Sequence, residues 1–265
     1  MPILKEKPFR HDPLQQIRPG AKIGIVGVPP LAIIRKLCSS GVRIYDLDEP
    51  LVKADMELTT PHVPRVYCAI LRTVALNALH LPLDMIFIDV GQGKCDCALH
   101  VSSVLRDMLP IPVIRTRNED TAPFGHPICT TRMSLLEKFQ KITAGVQSSG
   151  HYNDHEYPPC PPTAGFWGVP PRDFALLTLF PDTTHVYGWT RCMENKTPAD
   201  TELESLFNPD VPTVFFAQSF CAKTALAKLL AAKHPKSLYL DVDVTCSSST
   251  RAKVQAFLEL SGVAP

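Results

Sequence analysis

Cysteine is the residue type with the most chemistry to explain in this chain. Nine cysteines occur in 265 residues. Three of them stand where ligands would be placed. Cys68 precedes the helical pattern "AILRTVALNAL", Cys95 lies in "GQGKCDC" just past the apolar run "MIFIDV", and Cys221 closes "FFAQSFC". Each falls at the expected carboxyl end of a strand, the edge of an open parallel sheet where ligands bind. Three thiols far apart in the chain can therefore converge on one cleft, as an iron–sulfur cluster or zinc site requires. The N-terminal stretch "MPILKEKPFRHDPLQQ" lacks the apolar run of a secretory signal. The expected compartment is the cytoplasm, where thiols stay reduced and disulfides are rare. Cys97 is a substitute for Cys95, Cys129 and Cys192 are reserve ligands, and Cys38, on the apolar face of a helical pattern, is expected in the core.

Other groups carry weaker chemical signals. "HYNDHEYPPC" offers His151, Asp154, His155 and Cys160, but its prolines point to a loop rather than to a metal-binding helix. "FGHPICTTR" places His126, Cys129 and Arg132 together, a set that fits a reserve ligand or a loop. "GWTRCMENKTPAD" gathers Trp189, Arg191, Cys192, Glu194 and Lys196, either to meet an anion or as an exposed helix start. Asp46 and Asp48 in "YDLDEP" sit where a ribose-binding acid could stand. No glycine fingerprint accompanies them: "GIVGVPP" matches neither G-x-G-x-x-G nor a P-loop, and its prolines lack the N–H donors a phosphate cradle uses.

That heptapeptide, at residues 24–30, has a near copy, "GFWGVPP", at 165–171. Each copy leads into a helical pattern and then a strand pattern, "LAIIRKLCSSG" and "VRIYDLDEP" in the first half, "RDFALLTLFP" and "TTHVYGWTR" in the second. Further on, residues 63–79 pair with 211–229, and 84–96 pair more loosely with 237–249. The expected fold is α/β: two tandem Rossmann-like units with parallel sheets, related by an internal repeat. The expected boundaries are an N-terminal unit at 1–146, a Pro-rich linker at 147–163 and a C-terminal unit at 164–265. A net charge of +1 argues against nucleic-acid binding. No apolar run has the length of a bilayer span.

The order of these blocks resembles the cluster-bearing subunits of the 2-hydroxyacyl-CoA dehydratase and benzoyl-CoA reductase family. The resemblance rests on "GVPPLAIIRKLCSSGVRIYDL", on Cys68 in "VYCAILRT", on the Cys95-Asp96 pair, on Phe220-Cys221 and on the closing "TRAKVQAFLEL". It implies a [4Fe–4S] cluster held by Cys68, Cys95 and Cys221, with one iron open to a ligand. It also implies a homo- or hetero-oligomer that takes electrons from an ATP-dependent reductase. The activity implied is low-potential electron transfer or reductive or dehydration chemistry. The central region is much shorter than in those subunits, which points away from acyl-CoA. It leaves a non-catalytic cluster carrier or a metallocofactor assembly partner as the alternative.

Overall fold

The computed structural model describes residues 13–121, 125–150 and 155–263. The short apolar runs of the sequence become strands buried on both faces, which is what parallel sheets covered by helices demand. In the first unit β1 (Lys22–Val26) leads through α1 (Leu31–Ser39) to β2 (Arg43–Asp46). Then come α2 (Ala69–His80), β3 (Met85–Asp89), α3 (Asp96–Met108) and β4 (Val113–Thr116). Two helices, α4 (Pro127–Thr130) and α5 (Leu135–Thr143), lead to the second unit. There β5 (Ala164–Gly168) and β6 (Thr184–Tyr187) are followed by α6 (Trp189–Asn195) and α7 (Thr201–Ser205). The chain closes with β7 (Thr213–Gln218), α8 (Thr224–Lys233), β8 (Ser237–Val242) and α9 (Ser248–Leu260).

The two sheets have the same order, β2-β1-β3-β4 and β6-β5-β7-β8, and every pairing is parallel. The two heptapeptides occupy the same place, each finishing the first strand of its sheet and turning out of it. The expected α/β fold with two repeated units is therefore present.

Three local expectations need correction. After the second heptapeptide the helical pattern forms a 3-10 helix, Phe174–Leu179, rather than an α-helix. Residues 63–68 form turns, not a strand. Pro64 interrupts this stretch and Pro61 precedes it, and its N–H groups bond locally, Val63 to Thr59 O at 2.8 Å and Tyr67 to Pro64 O at 3.0 Å. The later repeat blocks consequently shift by one element. By sheet order β7 corresponds to β3, and β8 corresponds to β4.

One apolar core runs through both units, joining Ile23 and Phe87 of the first sheet with Phe166 and Val214 of the second. Helix α5 bridges them, with the Phe139 ring edge-on to Phe166 at 5.2 Å. Polar ties add direction to this packing. Buried Asn118 donates to Val28 O at 3.1 Å and to Lys196 O at 3.0 Å, linking the first heptapeptide turn to the second unit. Arg172, next to the second heptapeptide, donates from Nε to Thr73 Oγ1 in α2 at 2.8 Å. Residues 155–163 run against the body rather than free of it, with Cys160 N bonded to Thr130 O at 3.0 Å. No helix among the described residues is long and apolar enough to cross a membrane.

Candidate functional site

Cys68, Cys95 and Cys221 line one cavity of about 160 Å³. Each thiol is placed by the start of a helix: Cys68 is the N-cap of α2, Cys95 is the N-cap of α3, and Cys221 lies in the turn before α8. Neither N-cap cysteine spends its side chain on a capping bond. Both heptapeptides contribute walls, through Val26, Gly27 and Val28 on one side and Val169, Pro170 and Pro171 on the other. The repeat therefore builds two facing rims of one cleft, as expected at the carboxyl ends of tandem parallel sheets. Cys68, expected at a strand end, stands instead at a helix start after a proline-broken turn.

Close approach of backbone sets the Cys95 turn. Gly93 has φ +79°, and a Cβ there would collide with Ala199 of the second unit. Only glycine accommodates both the left-handed conformation and that contact.

Burial pushes the Cys68 thiol up to about 12, against N–H groups of the first turn of α2 that favour thiolate, and the Cys221 and Cys95 thiols add to the rise. Cys221 is also raised by burial, opposed by the Lys223 N–H and reinforced by Cys95. Thiolates at Cys68 and Cys221 would therefore need a cation beside them.

The cavity lining also carries charged groups. Asp46, Asp48 and Asp89 line the cavity with Lys94. Burial raises the Asp46 carboxyl well above its usual range, and nearby Asp48 raises it further. Asp48 and Asp89 are raised by burial against the opposing charge of Lys94. Lys94 Nζ lies over the Trp189 ring at 4.5 Å from its centre, and Lys223 Nζ lies over the same ring at 5.6 Å while pairing with Glu204 at 2.6 Å. No sequence motif marks Lys94, Lys223 or Glu204 as site residues. The position of Lys94 beside Cys95 was the available signal.

The reserve cysteines lie elsewhere. Cys97 does not line the cavity, although it packs near Cys95 in the same apolar cluster. Cys192 is buried in the main core, its thiol pushed up to about 11 by burial. Cys38 is half-buried at the rim of α1, its Sγ 3.5 Å from Gln147 O, and so is not a core residue. Arg132 is exposed, Cys160 is half-buried, and His151 and Asp154 lie outside the described residues.

Helix α6 is buried rather than an exposed helix start. It carries Glu194 to His126, the N-cap of α4, and to Cys129 within α4. Ligand atoms of His126, Cys129 and Glu194 lie within 4.8 Å of one another, making a candidate three-residue metal site. Burial pushes His126 down to about 4, with Arg191 adding to the shift, and pushes Cys129 well above the usual thiol range, with Glu194 adding. Glu194 is raised by burial, opposed by its hydrogen bonds from Cys129 and Ile128.

Compared with known proteins, the chain matches no family model and no curated sequence.

Proposed function

We propose that the chain is an iron–sulfur protein in which Cys68, Cys95 and Cys221 hold a [4Fe–4S] cluster in the cleft between the two α/β units. The observation that carries this reading is the lining of one cavity by three thiols from separate turns. The donor set fits the group: three cysteines on helix-start turns, with N–H groups near Cys68 and Cys221 aimed at sulfur. When bound, such a cluster keeps one iron without a protein ligand and supplies one-electron chemistry there.

The chain's own residues do the rest. Burial of Asp46, Asp48 and Asp89 beside the same cavity favours their neutral forms, opposed by the charge of Lys94. Trp189 packs the two lysine cations against the rim. A redox partner such as an ATP-dependent reductase or a second subunit would supply the electrons, and Val66 and Phe220, both exposed and close in sequence to Cys68 and Cys221, are apolar groups it could meet. The resemblance to 2-hydroxyacyl-CoA dehydratase and benzoyl-CoA reductase subunits supports low-potential electron transfer or reductive or dehydration chemistry. A second reading, a cluster carrier or metallocofactor assembly partner, is favoured by the cavity volume of about 160 Å³. Pockets for drug-sized ligands run to roughly 300–1,000 Å³.

Cys68→Ser and Cys221→Ser, reconstituted anaerobically beside Cys38→Ser, test the assignment. The first two should lose most of their iron, and Cys38→Ser should keep it. Equal iron in all three would overturn the reading.

A further inference from the structure

We propose that His126, Cys129 and Glu194 bind a zinc ion at a site separate from the cysteine-lined cavity, and that this ion clamps α4 to α6. None of the three residues lines that cavity. His126 is the N-cap of α4, Cys129 lies within α4, and Glu194 lies in the last turn of α6. The Cys129 residue and the Glu194 side chain are both 0% exposed, while the His126 side chain is 15% exposed and forms the way in.

The spacing suits an ion. Zinc bonds of about 2.0–2.3 Å place neighbouring ligand atoms roughly 3.3–3.8 Å apart in a tetrahedron. The three donor atoms stand within 4.8 Å of one another. Side-chain rotation by about 1 Å would therefore close the shell around an ion of that bond length.

An unpaired atom points into the same place. His126 Nδ1 is buried and makes no hydrogen bond. It lies 3.9 Å from Glu194 Oε2, too far for a hydrogen bond and near the spacing of two ligands on one ion. On the far side of the ring, Nε2 is 2.9 Å from the Asn195 amide, whose Oδ1 is also without a partner. Turning that amide lets Oδ1 accept from Nε2–H, the tautomer that leaves the Nδ1 lone pair facing Glu194 and Cys129. Glu194 is already aimed, accepting from Ile128 N at 2.8 Å and Cys129 N at 3.2 Å, and its carboxylate keeps lone pairs for a metal.

Thiolate, imidazole and carboxylate together suit zinc better than magnesium or calcium, which take oxygen ligands. Two ligand charges balance the divalent ion, and the Cys129 proton leaves to solvent on loading. Arg191 and Lys138 add positive charge near Cys129, which favours its thiolate while opposing the charge of the ion. Three protein ligands leave a fourth position to water.

Cobalt titration of the full chain with Cys68, Cys95 and Cys221 all changed to serine tests this. That variant should bind one equivalent of Co²⁺ with a thiolate-to-cobalt charge-transfer band and tetrahedral visible bands. Adding Cys129→Ser to it should abolish the charge-transfer band. Adding His126→Gln instead, which keeps the buried volume, should weaken binding at least tenfold. Absence of the band in the triple-serine variant, its persistence once Cys129→Ser is added, or the absence of stoichiometric binding would overturn the zinc site. None of these results depends on whether the cavity holds a cluster.

Discussion

Cys95 and Cys221 occupy equivalent turns of the two repeated units, each between the third strand of its half and the helix that follows it. The repeat thus supplies one thiol from each unit to the cavity, and Cys68, before α2, supplies the third. This equivalence separates Cys95 from its neighbour Cys97, which does not line the cavity. Anaerobically reconstituted Cys95→Ser should lose most of its iron, whereas Cys97→Ser should retain it. The reverse pattern in iron analysis would move the ligand to Cys97.

Gly93→Ala should damage both stability and iron retention. The residue has φ +79°, and any Cβ meets Ala199. Left-handed strain alone costs roughly 1–2 kcal/mol, and relief of the clash must shift the turn that carries Cys95. Urea unfolding and iron content of the variant check this together. A variant with wild-type values in both would show that the turn does not set the thiol.

The shared core predicts that the units unfold as one. Phe139 is fully buried and packs edge-on against Phe166 and Phe174 across the junction. Phe139→Ala should cost about 3–5 kcal/mol. The loss should appear in a single transition followed by both tryptophan fluorescence and circular dichroism. Two separated transitions would show that each half stands alone.

Lys138 is buried, donates from Nζ to Thr184 O at 2.5 Å, and is pushed down to about 8 by burial. Its folded value lies below the ordinary 10.5, so the unfolded chain binds the extra proton between those values. The contribution of this residue to stability therefore rises with pH from about 8 to 10.5, by roughly 3 kcal/mol at most. Lys138→Met removes this slope, and subtracting its pH–stability curve from that of the wild type isolates it from the opposing effect of the thiols. A flat difference curve would show that the lysine titrates normally.

Much of this architecture was legible from letters. The doubled "GVPP" turn after an apolar run marked the start of two parallel sheets, and Cys95 and Cys221 stood past strands that formed as expected. Cys68 lines the cavity from a turn rather than from the strand end its neighbours suggest. "VPRVY" has the apolar pattern of a strand, but its proline removes a ladder donor and the stretch folds into turns. The meeting of Cys129 with Glu194 was not legible, because 65 residues separate them and only the packing of α4 on α6 joins them. Of the acidic groups in the cavity lining, only Asp46 and Asp48 were legible. Asp89 ends an apolar strand, and its partner Lys94 reaches the cavity through a turn whose glycine-dependent path periodicity does not show.

Iron and sulfide analysis of the anaerobically isolated chain, with electron paramagnetic resonance before and after dithionite, tests the cluster most directly. A cluster held by Cys68, Cys95 and Cys221 predicts about four irons and four sulfides per chain and a paramagnetic signal on one-electron reduction. Iron and sulfide at background after anaerobic reconstitution, with no signal in either state, would contradict it.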